Sequence, residues 1–204
     1  MNPKPSFVYQ LVSFLIVFPL FRIFFRGSTF GNSNVPKIGS LVVVANHGSH
    51  LDPPILGHVL GRPVAFMAKA ELFQIPLIGF LINACGAYPV KRGSSDREAI
   101  KVATAKLEEG WAIGVFLDGS RQDNGKVNNP KAGAALLAAR SGSYLLPVAI
   151  QNSYRALGTG RLLPRLIPIR VQIGEMIPPP QTRSKKDLEL TTIKLQQTIN
   201  SLLE

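Results

Sequence analysis

Leu41-Val42-Val43-Val44-Ala45-Asn46-His47-Gly48-Ser49-His50-Leu51-Asp52-Pro53-Pro54 places five consecutive apolar residues ahead of a polar heptapeptide and a pair of prolines. An apolar run of that length bounded by turn residues reads as a buried strand. Paired prolines suit the first turn of a helix, where the leading N–H groups have no intrahelical acceptor. His47 therefore falls where a strand hands over to a helix, the place at which α/β proteins set their chemistry. An imidazole and a carboxylate at this separation on a tight turn can meet. Asp52 would then hold one ring nitrogen of His47 while the other takes a proton from a substrate hydroxyl, giving a general base with no protein nucleophile.

Outward from this turn, short apolar runs alternate with helix-like segments, the pattern of α/β packing. Strands are predicted over Leu41–Ala45, Val64–Ala68, Ala87–Val90, Ile113–Leu117, Tyr144–Ile150 and Ile167–Ile173. Helices are predicted over Pro53–Leu60, Ile75–Asn83, Ser95–Glu109 and Pro130–Arg140, and after Ser184, where Leu188, Leu195, Ile199 and Leu202 form an apolar stripe. Ser95-Asp96-Arg97-Glu98 has the form of a capping box. Pro147 lacks an N–H and reads as an edge or a strand end. The fold class is thus a single α/β domain with a mixed, largely parallel sheet flanked by helices. An amino-terminal segment, residues 1–30, precedes a domain of residues 31–204 that ends in a helix, with a Gly/Ser/Asn-rich joint over Gly27–Pro36 between them.

That amino-terminal segment is uncharged and almost wholly apolar from Phe7 to Phe21, then carries Arg22 and Arg26. A helix of this length rises about 22 Å, against roughly 30 Å for a bilayer hydrocarbon core. A helix lying in the interface fits better than one that spans, with both arginines on one face and a kink at Pro19; a buried core helix is the alternative. The whole 204-residue chain has 23 Lys and Arg against 12 acids, a formal net charge of +11. Such an excess calls for an anionic partner: nucleic acid, an anionic membrane surface or a phosphorylated substrate. The cations form no aromatic-interleaved ladder, which argues against nucleic acid. The single cysteine, Cys85, allows no disulfide framework and implies a cytosol-facing location.

Other candidate site residues lie at strand ends. Phe116-Leu117-Asp118-Gly119-Ser120-Arg121 empties a strand into a loop with a carboxylate, a flexible glycine, a hydroxyl and a guanidinium. Arg121 can grip a phosphate bidentately, Ser120 and the loop amides can add donors, and Asp118 can orient the arginine. The plain alternative is a solvated turn. Lys91-Arg92 and Lys69 are cations at two further strand ends. Asp52 has a purely structural alternative as the N-cap of the following helix. His47, His50, Asp52 and His58 together offer metal-type donors, but not at the spacing of binuclear metallohydrolases. Ser49 lacks the Gly-x-Ser-x-Gly elbow of an exposed nucleophile and reads as a structural hydroxyl.

In these blocks the chain resembles the 1-acylglycerol-3-phosphate acyltransferases of the glycerolipid acyltransferase superfamily. Asn46 to Asp52 matches the family's Asn-His-x-Ser-x-x-Asp in full, Arg92 matches the arginine ending its second block, and Phe116 to Arg121 corresponds to Phe-Pro-Glu-Gly-Thr-Arg. Leu146-Pro147-Val148 matches its fourth block. The departures are Leu117 for proline, Asp118 for glutamate and Ser120 for threonine. The resemblance implies a membrane-associated enzyme on the cytosol-facing leaflet that moves a fatty acyl group from acyl-CoA or acyl carrier protein to lysophosphatidic acid. His47 would be the base and Asp52 its orienting partner, while Arg92 and Arg121 would hold the acceptor phosphate. Asp118, Gly119 and Ser120 would shape the loop, with Lys69 as a further cation, and the chemistry would need neither cofactor nor metal. Another acceptor, such as glycerol-3-phosphate or a headgroup-bearing lysophospholipid, and a non-catalytic membrane-binding protein are the alternatives.

Overall fold

The computed structural model describes residues 6–90, 96–161 and 163–204. Arg92, with the Ser95 end of the expected capping box, lies outside them.

Among the described residues seven strands form one sheet in the order β1-β7-β6-β2-β5-β3-β4. They are β1 (Ser28–Phe30), β2 (Leu41–Ala45), β3 (Val64–Lys69), β4 (Tyr88–Val90), β5 (Ala112–Phe116), β6 (Tyr144–Gln151) and β7 (Arg170–Ile173). All neighbours are parallel except β6 and β7. The helices are α1 (Phe7–Val12), α2 (Asp52–Val59), α3 (Pro76–Ala84), α4 (Asp96–Glu108), α5 (Gly133–Ser141), α6 (Ser153–Leu157) and α7 (Lys185–Ser201). The mixed, largely parallel α/β sheet is as the sequence predicts. The central strand β2 is buried along its whole length. Its period of two divides the core: Leu41, Val43 and Ala45 face Phe21, Phe25, Ile55 and Leu56, whereas Val42 and Val44 share the opposite cluster with Leu107, Leu137, Leu195 and Ile199. The carboxy-terminal stripe thus docks on the sheet, and Ser184 caps α7 by accepting from the Asp187 N–H at 3.1 Å.

Four local expectations are corrected. Pro147 lies in an interior strand, paired in register with Val44 of β2. It is tolerated because the antiparallel ladder to β7 stops at the pair Val148 and Ile173, so no donor is missing on that side. The Pro147 carbonyl still accepts from the Gly174 N–H at 2.9 Å, closing this end of the pairing. The joint over Gly27–Pro36 contains β1, a three-residue edge strand beside β7, which its turn-rich composition hides. The amino-terminal helix is longer than expected: helical backbone continues from α1 through π-helical turns at Ser13–Val17 and Leu20–Phe24. Phe7 to Phe24 is 18 residues of mean hydropathy 2.0, long and apolar enough to cross a membrane, and only 11% buried. It is therefore not a core helix, although Val17, Phe21 and Phe25 anchor its end in the core. Finally, Arg26 leaves the helix at a φ of 45°, so it does not share a helical face with Arg22.

Candidate functional site

Because β2, β5, β3 and β4 are parallel, their carboxyl ends share one edge of the sheet. Ala45 is in register with Phe116, and Lys69 with Val90. The chain leaves β2 into Asn46-His47, leaves β5 into Leu117-Asp118, and ends β3 at Lys69.

The turn after β2 folds around one carboxylate oxygen. Asp52 Oδ2 accepts from the Gly48 N–H, the Ser49 N–H and His47 Nδ1, each at 2.8 Å. Asp52 is the first residue of α2 and is fully buried, and Leu51 stands at the cap position, so the N-cap alternative for Asp52 does not hold. An ionised carboxylate only accepts, so His47 Nδ1 carries the proton and Nε2 offers its lone pair. Asp52 Oδ1 is buried with no hydrogen-bond partner among the described residues. The imidazole lies flat on Phe116, 3.9 Å between centroids and 12° between planes. Phe66 also stacks on Phe116, at 5.7 Å between centroids. Gly48 is required by space: a Cβ there would lie 2.6 Å from Tyr154 Cβ on α6.

Asn46 ties this turn to its neighbours. Its Nδ2 donates to the Gly125 and Ile150 carbonyls at 2.7 and 2.9 Å, and its Oδ1 accepts from the Ile150 N–H at 2.8 Å. Ser49 Oγ donates to the Leu157 carbonyl at 2.6 Å and accepts from the Leu51 N–H at 3.1 Å. That hydroxyl is structural. His58 sits at the other end of α2, its Nδ1 2.8 Å from Ser13 Oγ of the amino-terminal helix. Among the described residues no three His, Cys, Asp or Glu side chains come together as a metal site.

The loop after β5 is held from several sides. The Asp118 carboxylate is buried and accepts from the Asn128 N–H at 3.1 Å and the Asn129 N–H at 2.6 Å. It closes the loop on itself; among the described residues it makes no ion pair with Arg121, contrary to the orienting role expected for it. Gly119 turns the chain at a φ of 70°. The Gln122 N–H donates to the His47 carbonyl at 2.7 Å. Gln122 Nε2 reaches Ser120 Oγ at 3.3 Å, while its Oε1 accepts from Asn128 Nδ2 at 3.1 Å. Asn200 of α7 grips Val127 through both backbone groups, accepting from its N–H at 2.9 Å and donating to its carbonyl at 3.0 Å. Burial, then the positive charge of Arg121, coupling to the His47 imidazole and the positive charge of Lys69 hold His50 below the ordinary histidine range, against the pull of Asp52. Arg121 and Lys69 are therefore electrostatic neighbours of the turn that carries His47. Asn46, Phe116, Gln122 and Asn200 were not among the expected site residues; Asn46 was visible in the motif, whereas nothing local marks Asn200.

The family model for acyltransferases matches residues 28–151, more than half of the chain. The chain belongs to the acyltransferase family. A 1-acyl-sn-glycerol-3-phosphate acyltransferase of Borreliella burgdorferi is 30% identical over 60% of the chain, and the match spans 50% of that relative's length. One of Bacillus subtilis is 29% identical over 85% of the chain and 86% of its own length. The crystal structure of a 1-acyl-sn-glycerophosphate acyltransferase from Thermotoga maritima superposes with a TM-score of 0.73 at 27% identity, covering 87% of this chain and 72% of that one. This acyltransferase thus spans about half the length of some relatives and most of others. The matched region begins at β1 and ends at the last residue of β6, so it contains both the His47 turn and the Arg121 loop.

Proposed function

We propose that this acyltransferase moves a fatty acyl group from a thioester, on CoA or acyl carrier protein, to the free hydroxyl of lysophosphatidic acid, giving phosphatidic acid. The observation that carries the reading is the His47 ring, its Nδ1 fixed by a buried carboxylate and its Nε2 left as the proton acceptor. His47 Nε2 takes the hydroxyl proton as the oxygen attacks the thioester carbonyl. The tetrahedral adduct then collapses, the C–S bond breaks, and the departing sulfur takes the proton back from the imidazolium that Asp52 has stabilised. An ester and a free thiol result, with no acyl-enzyme and no cofactor beyond the donor.

Arg121, with Lys69 as a second cation and Arg92 from the chain beyond β4, would bind the acceptor phosphate. Arg121 and Lys69 are supported by the sheet edge at which their strands end and by the charge both exert on His50. Asp118, Gly119 and Ser120 would shape the loop rather than touch substrate. The exposed apolar helix from Phe7 to Phe24 would seat the site on the anionic, cytosol-facing leaflet, where the lipid acceptor resides.

Thiol release from acyl-CoA or acyl carrier protein by detergent-purified protein, with and without lysophosphatidic acid, tests this, with the product identified by mass. Phosphatidic acid formed by the wild type and lost in His47→Ala is the expected result. Turnover on glycerol-3-phosphate or a headgroup-bearing lysophospholipid alone would replace the acceptor, and turnover retained in His47→Ala would overturn the base assignment.

A further inference from the structure

The segment that follows β3 has the pattern of a soluble helix turned inside out. From Ala70 to Ala84 the chain carries one ionisable residue, Glu71. A short 3-10 turn at Ala70–Gln74 leads into α3, and α3 folds back over that turn. The only residue of α3 that is buried is Gly79, so close to the turn that a Cβ would lie 2.4 Å from the Phe73 carbonyl oxygen. Large apolar side chains of the turn and of α3 face outward: Leu77 is 70% exposed and Phe80 60%, with Leu72, Ile75 and Ile78 also exposed, while Leu81 and Ile82 are half-buried. A water-facing helix shows polar side chains and buries apolar ones, and contiguous apolar exposure marks a contact surface.

Three observations say what covers it. First, α3 is continuous with the apolar amino-terminal helix: α1 packs on α3, and Ser6 Oγ donates to the Ala84 carbonyl at 2.7 Å. Second, the segment starts one residue after Lys69, at the sheet edge that holds the candidate site, so whatever covers α3 also lies near the mouth of that site. Third, the formal charge of the chain is +11, and Lys69 stands exposed at the head of the apolar segment, the order of charge and oil that an anionic lipid surface meets.

We infer that α3 and the turn before it form a second membrane contact, which inserts beside the amino-terminal helix into an anionic lipid surface. The inference rests on the membrane seating proposed above and not on the reaction. Two contacts fix the orientation of a body on a surface, which one helix leaves free to swing. The second would hold the carboxyl edge of the sheet at the headgroups, where a lysolipid presents its phosphate and hydroxyl while keeping its chain in oil.

Single tryptophans placed at exposed positions read depth directly. Phe14→Trp reports the amino-terminal helix and Phe80→Trp reports α3, with the half-buried native Trp111 as the unmodified chain's background. Vesicles of phosphatidylglycerol and phosphatidylcholine with brominated chains quench indole that reaches the hydrocarbon. Blue-shifted, quenched emission from both variants is expected, with at least a roughly tenfold loss of vesicle binding in the double variant Leu77→Asp/Phe80→Asp. Quenching of Phe14→Trp with Phe80→Trp unquenched on the same vesicles would overturn the inference and leave the amino-terminal contact standing. A concentration-dependent dimer that the double variant abolishes, without lipid quenching at position 80, would assign the face to a second copy. Quenching at both positions in a protein that transfers no acyl group would uphold this inference while removing the reaction.

Discussion

The backbone N–H of Gln122 donates to the carbonyl of His47 at 2.7 Å, fastening the loop that carries Arg121 to the turn that carries the proposed base. The Gln122 side chain continues the connection, bridging Ser120 and Asn128. Gln122→Ala keeps the backbone bond and loses the bridge. It is expected to raise the acceptor KM about two- to tenfold with little change in kcat, the worth of one or two ordinary hydrogen bonds. Arg121→Ala should raise the same KM further, about 10- to 100-fold, as a charge-assisted contact is lost. Steady-state kinetics over acceptor concentration separates the two effects, and an unchanged KM in Arg121→Ala would remove it from the acceptor site.

Asp52 receives three donors on one oxygen, and one of them sets the tautomer of His47. Asp52→Asn keeps the shape but no longer requires Nδ1 to carry the proton, and it withdraws the charge that stabilises the imidazolium. A fall in kcat of about 10²- to 10⁴-fold is expected, comparable with His47→Ala. The double variant should be scarcely worse than either single one, because the two groups act as a unit. Additive losses would mean that they work separately.

At Asp118 the shorter carboxylate suits its amide partners. The side chain is 4% exposed and already meets the Asn128 and Asn129 N–H groups. Asp118→Glu adds a methylene to this buried space and should cost about 1–3 kcal/mol of stability. Thermal unfolding would register it as a lower Tm, and an unchanged or higher Tm would show that the loop has room for the longer side chain.

His50 and His58 are both held below the ordinary histidine value of 6.5, chiefly by burial, with Arg121, His47 and Lys69 adding to the effect at His50 and Arg22 at His58. Below that value the unfolded chain takes up protons that the folded chain refuses until the pH is lower. Stability present at neutral pH is therefore lost on acidification. We expect Tm to fall between about pH 7 and pH 5, and His58→Gln to make that fall shallower. An identical pH slope in the variant would show that His58 does not contribute.

Asn200 holds Val127 from a helix more than seventy residues away in the chain. Asn200→Ala strands the buried Val127 N–H, at about 1–3 kcal/mol, while the Val127 carbonyl keeps Gln196 Nε2 as a donor at 3.0 Å. It should lower Tm and raise the acceptor KM through the loosened loop, while Asn200→Asp, which retains the acceptor for the Val127 N–H, should recover part of both.

Most of the fold was legible because its signals are local. An apolar run such as Leu41 to Ala45 has one comfortable place in a parallel sheet, between neighbours on both sides and helices on both faces. Pro147 misled because the rule that keeps proline from interior strands assumes a ladder on each side, and here the pairing with β7 ends where the missing N–H would have been used. The strand β1 was hidden because three residues of Ser, Thr and Phe carry no periodicity, and only the open edge of β7 makes them a strand.

The same division runs through the site. Sequence alone placed His47 and Asp52 on one turn, since residues so near each other, between a buried strand and a proline-opened helix, have few ways to be apart. It also placed cations at strand ends, because strand ends are read from where apolar runs stop. Tertiary structure alone decided that Phe116 backs the imidazole, that Gln122 and Asn200 brace the loop, that Asp118 serves the loop amides and not Arg121, and that α3 shows its apolar side chains to the outside. Each of these depends on a partner brought in from a distant part of the chain, or on a direction a side chain takes only once its neighbours are packed, and no local pattern encodes which partner will arrive.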